Sequence, residues 1–305
     1  MQKILFLGTP TFAVPVLEEL HKHFEIIGVV TQPDRPVGRK LTLTPPPVKI
    51  AAEKLGLKVS QPDKAADISD LITTPFDFLV TAAYGEYLPE KVLKMAGKDA
   101  LNIHPSLLPK YRGATPMQSA LLNGDQKTGV SIIRMVKEMD AGEIFAQNEL
   151  EIGPDMKYPD LEAACSQLGA QLISEVIQHY DTLTPIAQDP SAVSHGKKIS
   201  KEDGHVHFEQ DSAQQISNKL RAFTPWPGVY TFFKDQKLSL VEFSINHQPS
   251  TIHQPGTVFE TNKKILIQTK QDCLELKTVQ LAGKTPIDIK SFLNGHPDFL
   301  GAVLK

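Results

Sequence analysis

The sequence contains few cysteines and no cluster of metal ligands. Its 305 residues include two cysteines, Cys165 and Cys273, which lie far apart and belong to no CxxC motif or Cys/His group. A disulfide framework and a structural zinc site are therefore both unsupported, and we expect no metal. Reduced thiols of this kind are typical of a cytoplasmic protein.

Long apolar runs are also absent from the sequence. Near the N-terminus, the apolar run at residues 3–7 is interrupted at once by Gly8 and Pro10. Such a run is too short for the core of a signal peptide and far too short to span a membrane. The N-terminal region has no Arg- and Ser-rich transit segment either. The sequence thus predicts a bacterial cytoplasmic protein without a membrane partner.

Two common phosphate-binding motifs are missing as well. Neither GxGxxG nor GxxxxGK[ST] occurs, which argues against dinucleotide-binding and P-loop proteins. The net charge of −3 at pH 7 argues against a general nucleic-acid coat, although it leaves room for local basic patches. Hydrophobic residues make up 41% and charged residues 22% of the chain, as expected for a folded globular protein.

Short apolar runs alternate with amphipathic stretches through the first half of the chain. The runs are often β-branched, and they predict strands at residues 3–7, 26–30, 78–82, 101–103 and 130–136. The amphipathic stretches predict helices at residues 14–23, 48–55, 89–95 and 161–179. This alternation predicts an α/β fold with a doubly wound, mostly parallel sheet.

The pattern changes in the second half. Residues 184–200 are rich in proline, serine and small polar residues, which is typical of a linker. Short alternating segments follow, with one clear helix at residues 213–223, and they predict a small OB-like β-barrel that suits a nucleic-acid partner. We therefore expect a catalytic domain over residues 1–188, a linker over 189–203 and a C-terminal barrel over 204–305.

One segment brings together side chains that acyl transfer needs. Asn102 and His104 follow a short apolar run that predicts a buried strand, and Asp140 lies farther along, in the sequence MDAG. In open α/β sheets ligands bind where strands end, and residues two apart on a strand face the same side. We therefore expect Asn102 and His104 to share one site.

Acyl transfer to an amine passes through a tetrahedral intermediate with a negatively charged oxygen. The Asn102 amide and a protonated His104 imidazole supply two donors for this oxygen. Asp140 relays the proton that the attacking ammonium loses, and its charge is expected to raise the pKa of His104. Each residue alone also has an ordinary structural interpretation, and spacing by itself does not decide between the two.

These residues belong to segments that resemble the methionyl-tRNA formyltransferase family nearly from end to end. The N-terminal matches are FLGTP at 6–10, TQPDRPVGR at 31–39, PVK at 47–49, AYG at 83–85, LP at 88–89, NIHPSLLP at 102–109, RG at 112–113 and MDAG at 139–142. The C-terminal matches are KISK at 198–201, RAFTPWPG at 221–228 and QLAGK at 280–284. The resemblance implies a formyltransferase-type, Rossmann-like catalytic domain.

The resemblance also implies a reaction. The formyl group of 10-formyltetrahydrofolate is transferred to the α-amino group of methionine on initiator methionyl-tRNA, which gives N-formylmethionyl-tRNA for translation initiation. By motif position, the catalytic residues are Asn102, His104 and Asp140. The implied folate-binding residues are Ser106, Leu107, Leu108, Pro109, Tyr84 and Gly85, and the implied tRNA-binding residues are Arg35, Arg39 and Lys40. No metal is implied, and we expect a monomer.

Two other interpretations remain open at this point. A folate-dependent formyltransferase that acts on a small amine, such as a sugar nucleotide or glycinamide ribonucleotide, has the same three catalytic residues. The loop with Arg39 and the RAFTPWPG segment favour tRNA as the acceptor. A tRNA-binding or folate-sensing protein without catalysis has no need of Asn102, His104 and Asp140 together.

Overall fold

The computed structural model describes residues 1–38, 41–247 and 253–305. The strands of the N-terminal half are, in chain order, β1 (Lys3–Gly8), β2 (Glu25–Val30), β3 (Arg35–Val37), β4 (Thr42–Thr44), β5 (Val59–Ser60), β6 (Phe76–Ala82), β7 (Ala96–His104), β8 (Lys127–Arg134) and β9 (Ile144–Glu151). The helices of this half are α1 (Val14–His23), α2 (Pro47–Lys54), α3 (Ile68–Leu71), α4 (Glu90–Leu93), α5 (Pro116–Asn123) and α6 (Tyr158–Gln178).

Seven of these strands form one sheet, in the order β5-β2-β1-β6-β7-β8-β9. Neighbouring strands among β5, β2, β1, β6 and β7 pair in parallel, whereas β8 is antiparallel to both of its neighbours, β7 and β9. From β1 the chain builds outward to β2 and β5, and it then returns to the other side of β1 with β6. This reversal makes the carboxyl ends of β1 and β6 the switch point at which such sheets bind ligands. The predicted doubly wound, mostly parallel sheet is confirmed.

The central strands are nearly continuous apolar runs because both faces of a parallel sheet are covered. Residues 4–7 of β1 and residues 78–80 of β6 are fully buried. The edge strand β9 is different, since its residues 147–149 are exposed and polar. This polar edge strand was not predicted, because the sequence signal used for strands was a buried apolar run.

The C-terminal half contains a second, antiparallel sheet. Its elements are α7 (Ala213–Phe223), β10 (Tyr230–Phe233), β11 (Gln236–Asn246), β12 (Val258–Thr261), β13 (Lys264–Gln268), β14 (Cys273–Leu281), β15 (Ile287–Asp288) and α8 (Ile289–Gly295). The strand order is β10-β11-β14-β13-β12, and β15 pairs with β14. The last residues of the chain connect the two edge strands, β12 and β10. The Val258 amide of β12 donates to the Ala302 carbonyl, and the Phe232 amide of β10 donates to the Lys305 carbonyl. The sheet and this closing segment form the small barrel-like domain that the sequence predicts.

Two compact units divide the chain. The first comprises Met1–Met117, Lys127–Ile152 and Asp160–Lys197, and the second comprises Gln118–Gln126, Gly153–Pro159 and Lys198–Lys305. The second unit thus takes in two short segments of the N-terminal half. Both of these segments contact α7. The Arg221 guanidinium donates to the Gly153 carbonyl, and the side-chain amide of Asn218 donates to the Leu122 carbonyl.

Helix α7 has the predicted bounds and a clear local cause. Ser212 Oγ accepts from the backbone amide of Gln215 at 3.2 Å, and Gln215 Oε1 accepts from the backbone amide of Ser212 at 2.8 Å. This reciprocal capping box satisfies amides that a helix leaves unpaired at its start.

The structure differs from the predicted elements in several places. Residues 204–208 are the first of the short alternating segments and are therefore predicted as a strand, but they contain the end of a 3-10 turn (Glu202–Gly204) and a single bridge from His205 to Tyr230. The segment 31–47 is rich in proline, which leaves little room for regular structure, yet it contains the hairpin of β3 and β4. Helices α3, α5 and α8 were not predicted.

Candidate active site

Strand β7 brings two polar side chains to the carboxyl edge of the sheet. Asn102 and His104 lie in its last three residues. Asn102 is opposite Thr81 of β6 in the parallel register, and His104 is opposite Ser131 of β8 in the antiparallel register. Because they are two residues apart on one strand, both side chains leave the same face of the sheet.

A hydrogen bond from β6 holds the amide of Asn102. Thr81 Oγ1 donates to Asn102 Oδ1 at 2.7 Å, and Thr81 is buried. With its oxygen engaged in this way, the amide directs its donor, Nδ2, away from Thr81. Asn102 is thus oriented to donate to a carbonyl oxygen placed beside the end of the strand.

His104 is buried and has a polar group on either side of its ring. The residue is 4% exposed, Nε2 lies 3.0 Å from the Tyr111 carbonyl oxygen, and Nδ1 lies 3.6 Å from Asp140 Oδ2. A carbonyl oxygen only accepts, so Nε2 carries the hydrogen of the neutral ring. Nδ1, which faces Asp140, is therefore the nitrogen that gains and loses a proton.

Burial lowers the pKa of His104 below its ordinary value, because a charged imidazolium is costly away from water. The Asp140 carboxylate and the Tyr111 carbonyl act in the opposite direction without reversing the shift. Asp140 thus raises the pKa of His104 as expected, but burial outweighs this contribution and the net shift is downward. The sequence indicates the partner but not the depth of burial.

The turn that presents Asp140 has a constrained backbone. Asp140 has a φ of 53°, in the left-handed region, and its Oδ2 accepts from the Gly113 amide at 2.8 Å. A Cβ on Gly142 would lie 1.8 Å from the Arg134 carbonyl oxygen, so no other residue fits at that position. The backbone of neighbouring segments thus holds both the turn and the carboxylate.

Sequence analysis missed several residues that support this site. Thr81, Tyr111 and Gly113 each bond to one of the three predicted catalytic side chains, and Gln188 donates to the Asp140 carbonyl. Two of them have a sequence signal: Gly113 lies in the RG match at 112–113, and Thr81 lies near the end of the strand beside β7, where strand ends meet at one edge. The contacts of the others depend on loops whose paths only the tertiary structure shows.

The loop after β7, predicted to bind folate, is bonded to its surroundings. Ser106 Oγ donates to a backbone carbonyl within the loop at 2.6 Å, and the Ser106 carbonyl accepts from Ser131 Oγ at 2.6 Å. Ser106 and Leu108 are buried, whereas Leu107 and Pro109 are partly exposed. The hydroxyl of Ser106 thus has a structural role, and the partly exposed side chains of Leu107 and Pro109 are apolar.

The loop after β6 carries the other two predicted folate residues. Tyr84 is buried in a cluster with Leu88 and Val92, and burial together with the Glu86 charge raises the pKa of Tyr84 to about 12. Gly85 is exposed and has a φ of 93°, which residues with a side chain rarely adopt. At Gly85 this loop therefore exposes its backbone, while the ring of Tyr84 packs inward.

The predicted tRNA-binding residues belong to the hairpin of β3 and β4. Arg35 begins β3 and is exposed. Val37 and Leu43, on the two strands, are 58% and 64% exposed, so the hairpin displays apolar as well as basic side chains. Arg39 and Lys40, between the strands, lie outside the described residues.

Three further features concern metal ligands, membrane spans and cysteines. Within residues 1–38, 41–247 and 253–305, no group of three or more His, Cys, Asp or Glu residues is arranged to hold a metal ion. None of the helices in the same ranges is long and apolar enough to cross a membrane. Cys165 and Cys273 are both buried free thiols.

Comparison with known proteins gives matches over almost the whole chain. The family described as Formyl transferase matches residues 2–177, and that described as Formyl transferase, C-terminal domain, matches residues 198–297. A methionyl-tRNA formyltransferase from Listeria innocua is 40% identical over 301 residues, covering 97% of this chain and 96% of the relative. One from Staphylococcus aureus is 38% identical over 307 residues, covering 98% of each.

Solved structures share the fold at lower identity. An N-formyltransferase from Helicobacter canadensis, in complex with folinic acid and dTDP-3-aminofucose, aligns with a TM-score of 0.67 at 18% identity, covering 90% of this chain and 99% of that one. HypX from Aquifex aeolicus, in complex with tetrahydrofolic acid, aligns with a TM-score of 0.63 at 17% identity, covering 99% of this chain and 48% of that one. At such identities the likeness shows a common fold and nothing finer.

Proposed function

This chain belongs to the methionyl-tRNA formyltransferase family, and we propose that it transfers the formyl group of 10-formyltetrahydrofolate to the α-amino group of methionine on initiator methionyl-tRNA. The product, N-formylmethionyl-tRNA, serves to initiate translation. The observation that carries the proposal is 40% identity to a relative of that name over nearly the full length of both chains. The enzyme transfers formyl groups and uses a folate co-substrate.

Asn102 binds the formyl oxygen in this mechanism. Its Nδ2, directed by the bond from Thr81 to Oδ1, donates to that oxygen as it gains negative charge during attack by the amine. A donor that is in place before the reaction needs no reorganisation in the transition state. Removal of one such donor typically lowers turnover by about 10²- to 10³-fold.

Asp140 and His104 move the proton of the attacking amine. Asp140 is the more exposed of the two side chains, at 13% against 5%, and its carboxylate receives the proton that the amine loses. The proton passes to His104 Nδ1, 3.6 Å away, and the imidazolium that forms adds positive charge beside the developing oxyanion. His104 then returns the proton to the folate nitrogen from which the formyl group departs.

The residues around the strand ends suit a folate. Leu107 and Pro109 offer partly exposed apolar surface in the loop after β7. Gly85 offers exposed backbone in the loop after β6, next to the switch point of the sheet. Bound there, the co-substrate supplies an activated formyl group, and these two loops orient it towards Asn102.

The hairpin of β3 and β4 is proposed to contact the tRNA. Arg35 lies on this exposed hairpin, and Arg39 and Lys40 are close to it in sequence. Guanidinium and ammonium groups pair with phosphate, and a guanidinium also stacks on bases. We place the reaction in the bacterial cytoplasm. We also propose that the enzyme is a monomer, because one chain supplies every residue used above.

The first experiment measures transfer of labelled formyl from 10-formyltetrahydrofolate, with charged and uncharged initiator tRNA assayed side by side. The proposal predicts labelled formyl-methionyl-tRNA from the charged sample alone. A parallel reaction contains dTDP-3-aminofucose as a small amine acceptor. Saturable formylation of this sugar nucleotide, with none of the charged tRNA, would contradict the proposed acceptor.

Two asparagine variants test the proposed role of Asn102. Asn102→Ala is expected to lower kcat by about 10²-fold or more while tRNA affinity stays unchanged. Asn148→Ala, at an exposed position on β9, is the matched control and keeps wild-type turnover. Wild-type turnover in Asn102→Ala would rule out this residue as the oxyanion donor.

A further inference from the structure

The segment that follows α6 is hydrogen-bonded to loops of the candidate active site. The Ile144 amide donates to the Ile186 carbonyl at 2.8 Å, and the Ile186 amide donates back at 2.9 Å. Farther along, the Arg112 amide donates to the Ser194 carbonyl at 2.8 Å, and the Tyr111 amide donates to Ser194 Oγ at 2.9 Å. Residues 186–196, which composition indicates as a linker, are thus hydrogen-bonded along the catalytic loop.

Gln188 lies in the middle of this segment and uses both ends of its side-chain amide. Its Nε2 donates to the Asp140 carbonyl at 2.7 Å and to the Gly142 carbonyl at 2.8 Å. Its Oε1 accepts from Arg112 Nε at 3.0 Å and from a terminal guanidinium nitrogen of Arg112 at 2.8 Å. One side chain therefore joins the turn that carries Asp140 to the loop that carries Arg112.

That loop holds the other partners of the catalytic pair. On either side of Arg112, the Tyr111 carbonyl accepts from His104 Nε2, and the Gly113 amide donates to Asp140 Oδ2. Arg112 is itself buried, and its guanidinium also lies 3.5 Å from Glu138 Oε1. Any movement of the Asp140 turn relative to this loop changes the separation of His104 Nδ1 from the carboxylate.

We propose that Gln188 is a positioning residue, which sets the distance between His104 and Asp140 by joining the Asp140 turn to the Arg112 loop. The proposal rests on the proposed function for its kinetic consequences, but its structural part does not. Gln188 touches no reacting atom and acts only through the two backbone carbonyls and the guanidinium. A primary amide suits this position because it presents two donors and an acceptor at once.

Two substitutions test the donor and acceptor atoms of the Gln188 side chain separately. Gln188→Ala removes both the donors and the acceptor. Gln188→Glu keeps oxygens for Arg112 but sets an acceptor against the carbonyls of Asp140 and Gly142, so only the turn loses its attachment. Ser191→Ala is the matched control, because Ser191 Oγ donates within the same segment, to Asp189 at 2.8 Å.

Gln188→Ala and Gln188→Glu are each expected to lower kcat by about 10- to 100-fold, with KM for both substrates close to wild type. In Gln188→Ala, Asp140 opposes the effect of burial less strongly, so NMR titration of the free enzyme should find the pKa of His104 lower than in wild type. Arg112 and Glu138 are the other charged groups at this turn, and neither is altered. Ser191→Ala should match wild type in both measurements.

A purely structural role predicts a different result. Gln188 would then affect only the fraction of folded enzyme, so both variants would keep wild-type kcat per folded molecule and the wild-type pKa of His104. That outcome overturns the proposal, and wild-type kcat in Gln188→Glu alone does the same. If wild-type enzyme transfers no formyl group, the proposed function fails, while the titration of His104 in Gln188→Ala still decides the role of Gln188.

Discussion

Thr81 and Asn102 lie opposite each other on neighbouring parallel strands, and the Thr81 hydroxyl donates to Asn102 Oδ1 at 2.7 Å. The strand pairing sets this geometry, because β6 and β7 stay in register from the Phe78–Asp99 pair to the Thr81–Asn102 pair. A core hydroxyl thus decides which end of the Asn102 amide is available to the substrate. Its contribution is measurable apart from that of Asn102 itself.

Thr81→Val should lower kcat by about 2- to 10-fold and leave KM unchanged. Valine fills the same buried space, but the Asn102 amide loses a hydrogen bond that contributes about 0.5–1.5 kcal/mol to its orientation. Thr81→Ser keeps the hydroxyl and should retain most of the activity. Steady-state kinetics of the three proteins, at saturating concentration of each substrate, provide the comparison. Equal kcat in Thr81→Val and wild type would show that the amide is held by other contacts.

Asp140→Asn should lower the pKa of His104 further. The carboxylate opposes the effect of burial, so a neutral amide at the same place leaves burial with less opposition. Asparagine suits the test because it adopts a left-handed φ, such as the 53° at this position, more readily than alanine does. NMR titration of the His104 ring in the free enzyme measures the shift. An unchanged or higher pKa in the variant would contradict the assigned contact.

Because burial lowers the pKa of His104, the stability of the folded protein should depend on pH. Its pKa in the folded protein lies below the ordinary value of 6.5, so just below pH 6.5 the unfolded chain binds a proton that the folded chain does not. This stabilisation is complete above pH 6.5 and is lost as the pH falls through the folded pKa. The slope is at most about 1.4 kcal/mol per pH unit.

His104→Gln removes this titrating group. The free energy of unfolding, measured with urea at pH 7.5, 6.5 and 5.5, should fall less steeply with acid in His104→Gln than in wild type. Other groups titrate in both proteins and cancel in the comparison. The same acid slope in the two proteins would show that the pKa of His104 is not lowered by folding.

The segment that closes the C-terminal barrel supplies a paired test of stability. Leu304 is 4% exposed and belongs to the barrel core, whereas its neighbour Val303 is 46% exposed. Leu304→Ala should lower the free energy of unfolding by about 2–5 kcal/mol, through lost burial and the cavity that remains. Val303→Ala, the control, should change it by no more than about 0.5 kcal/mol. Equal effects would mean that Leu304 does not pack into the core of this barrel.

Much of the fold follows from local sequence signals. The bounds of α1 and α7 were predicted without error, since each has a periodic apolar pattern and α7 has the capping pair Ser212 and Gln215. The buried strands β1 and β6 were predicted from their apolar runs. The polar edge strand β9 and the exposed hairpin of β3 and β4 were not, because pairing and not burial makes them strands.

The sequence by itself determined the chemical content of the candidate site: an amide, an imidazole and a carboxylate at Asn102, His104 and Asp140, placed at strand ends and in a turn. The tertiary structure decided their state. The charge of His104 depends on how completely its ring is buried, and that burial results from packing by segments distant in sequence. The tertiary structure likewise brings Gln188 to the Asp140 turn, because hydrogen bonds between remote loops leave no pattern along the chain.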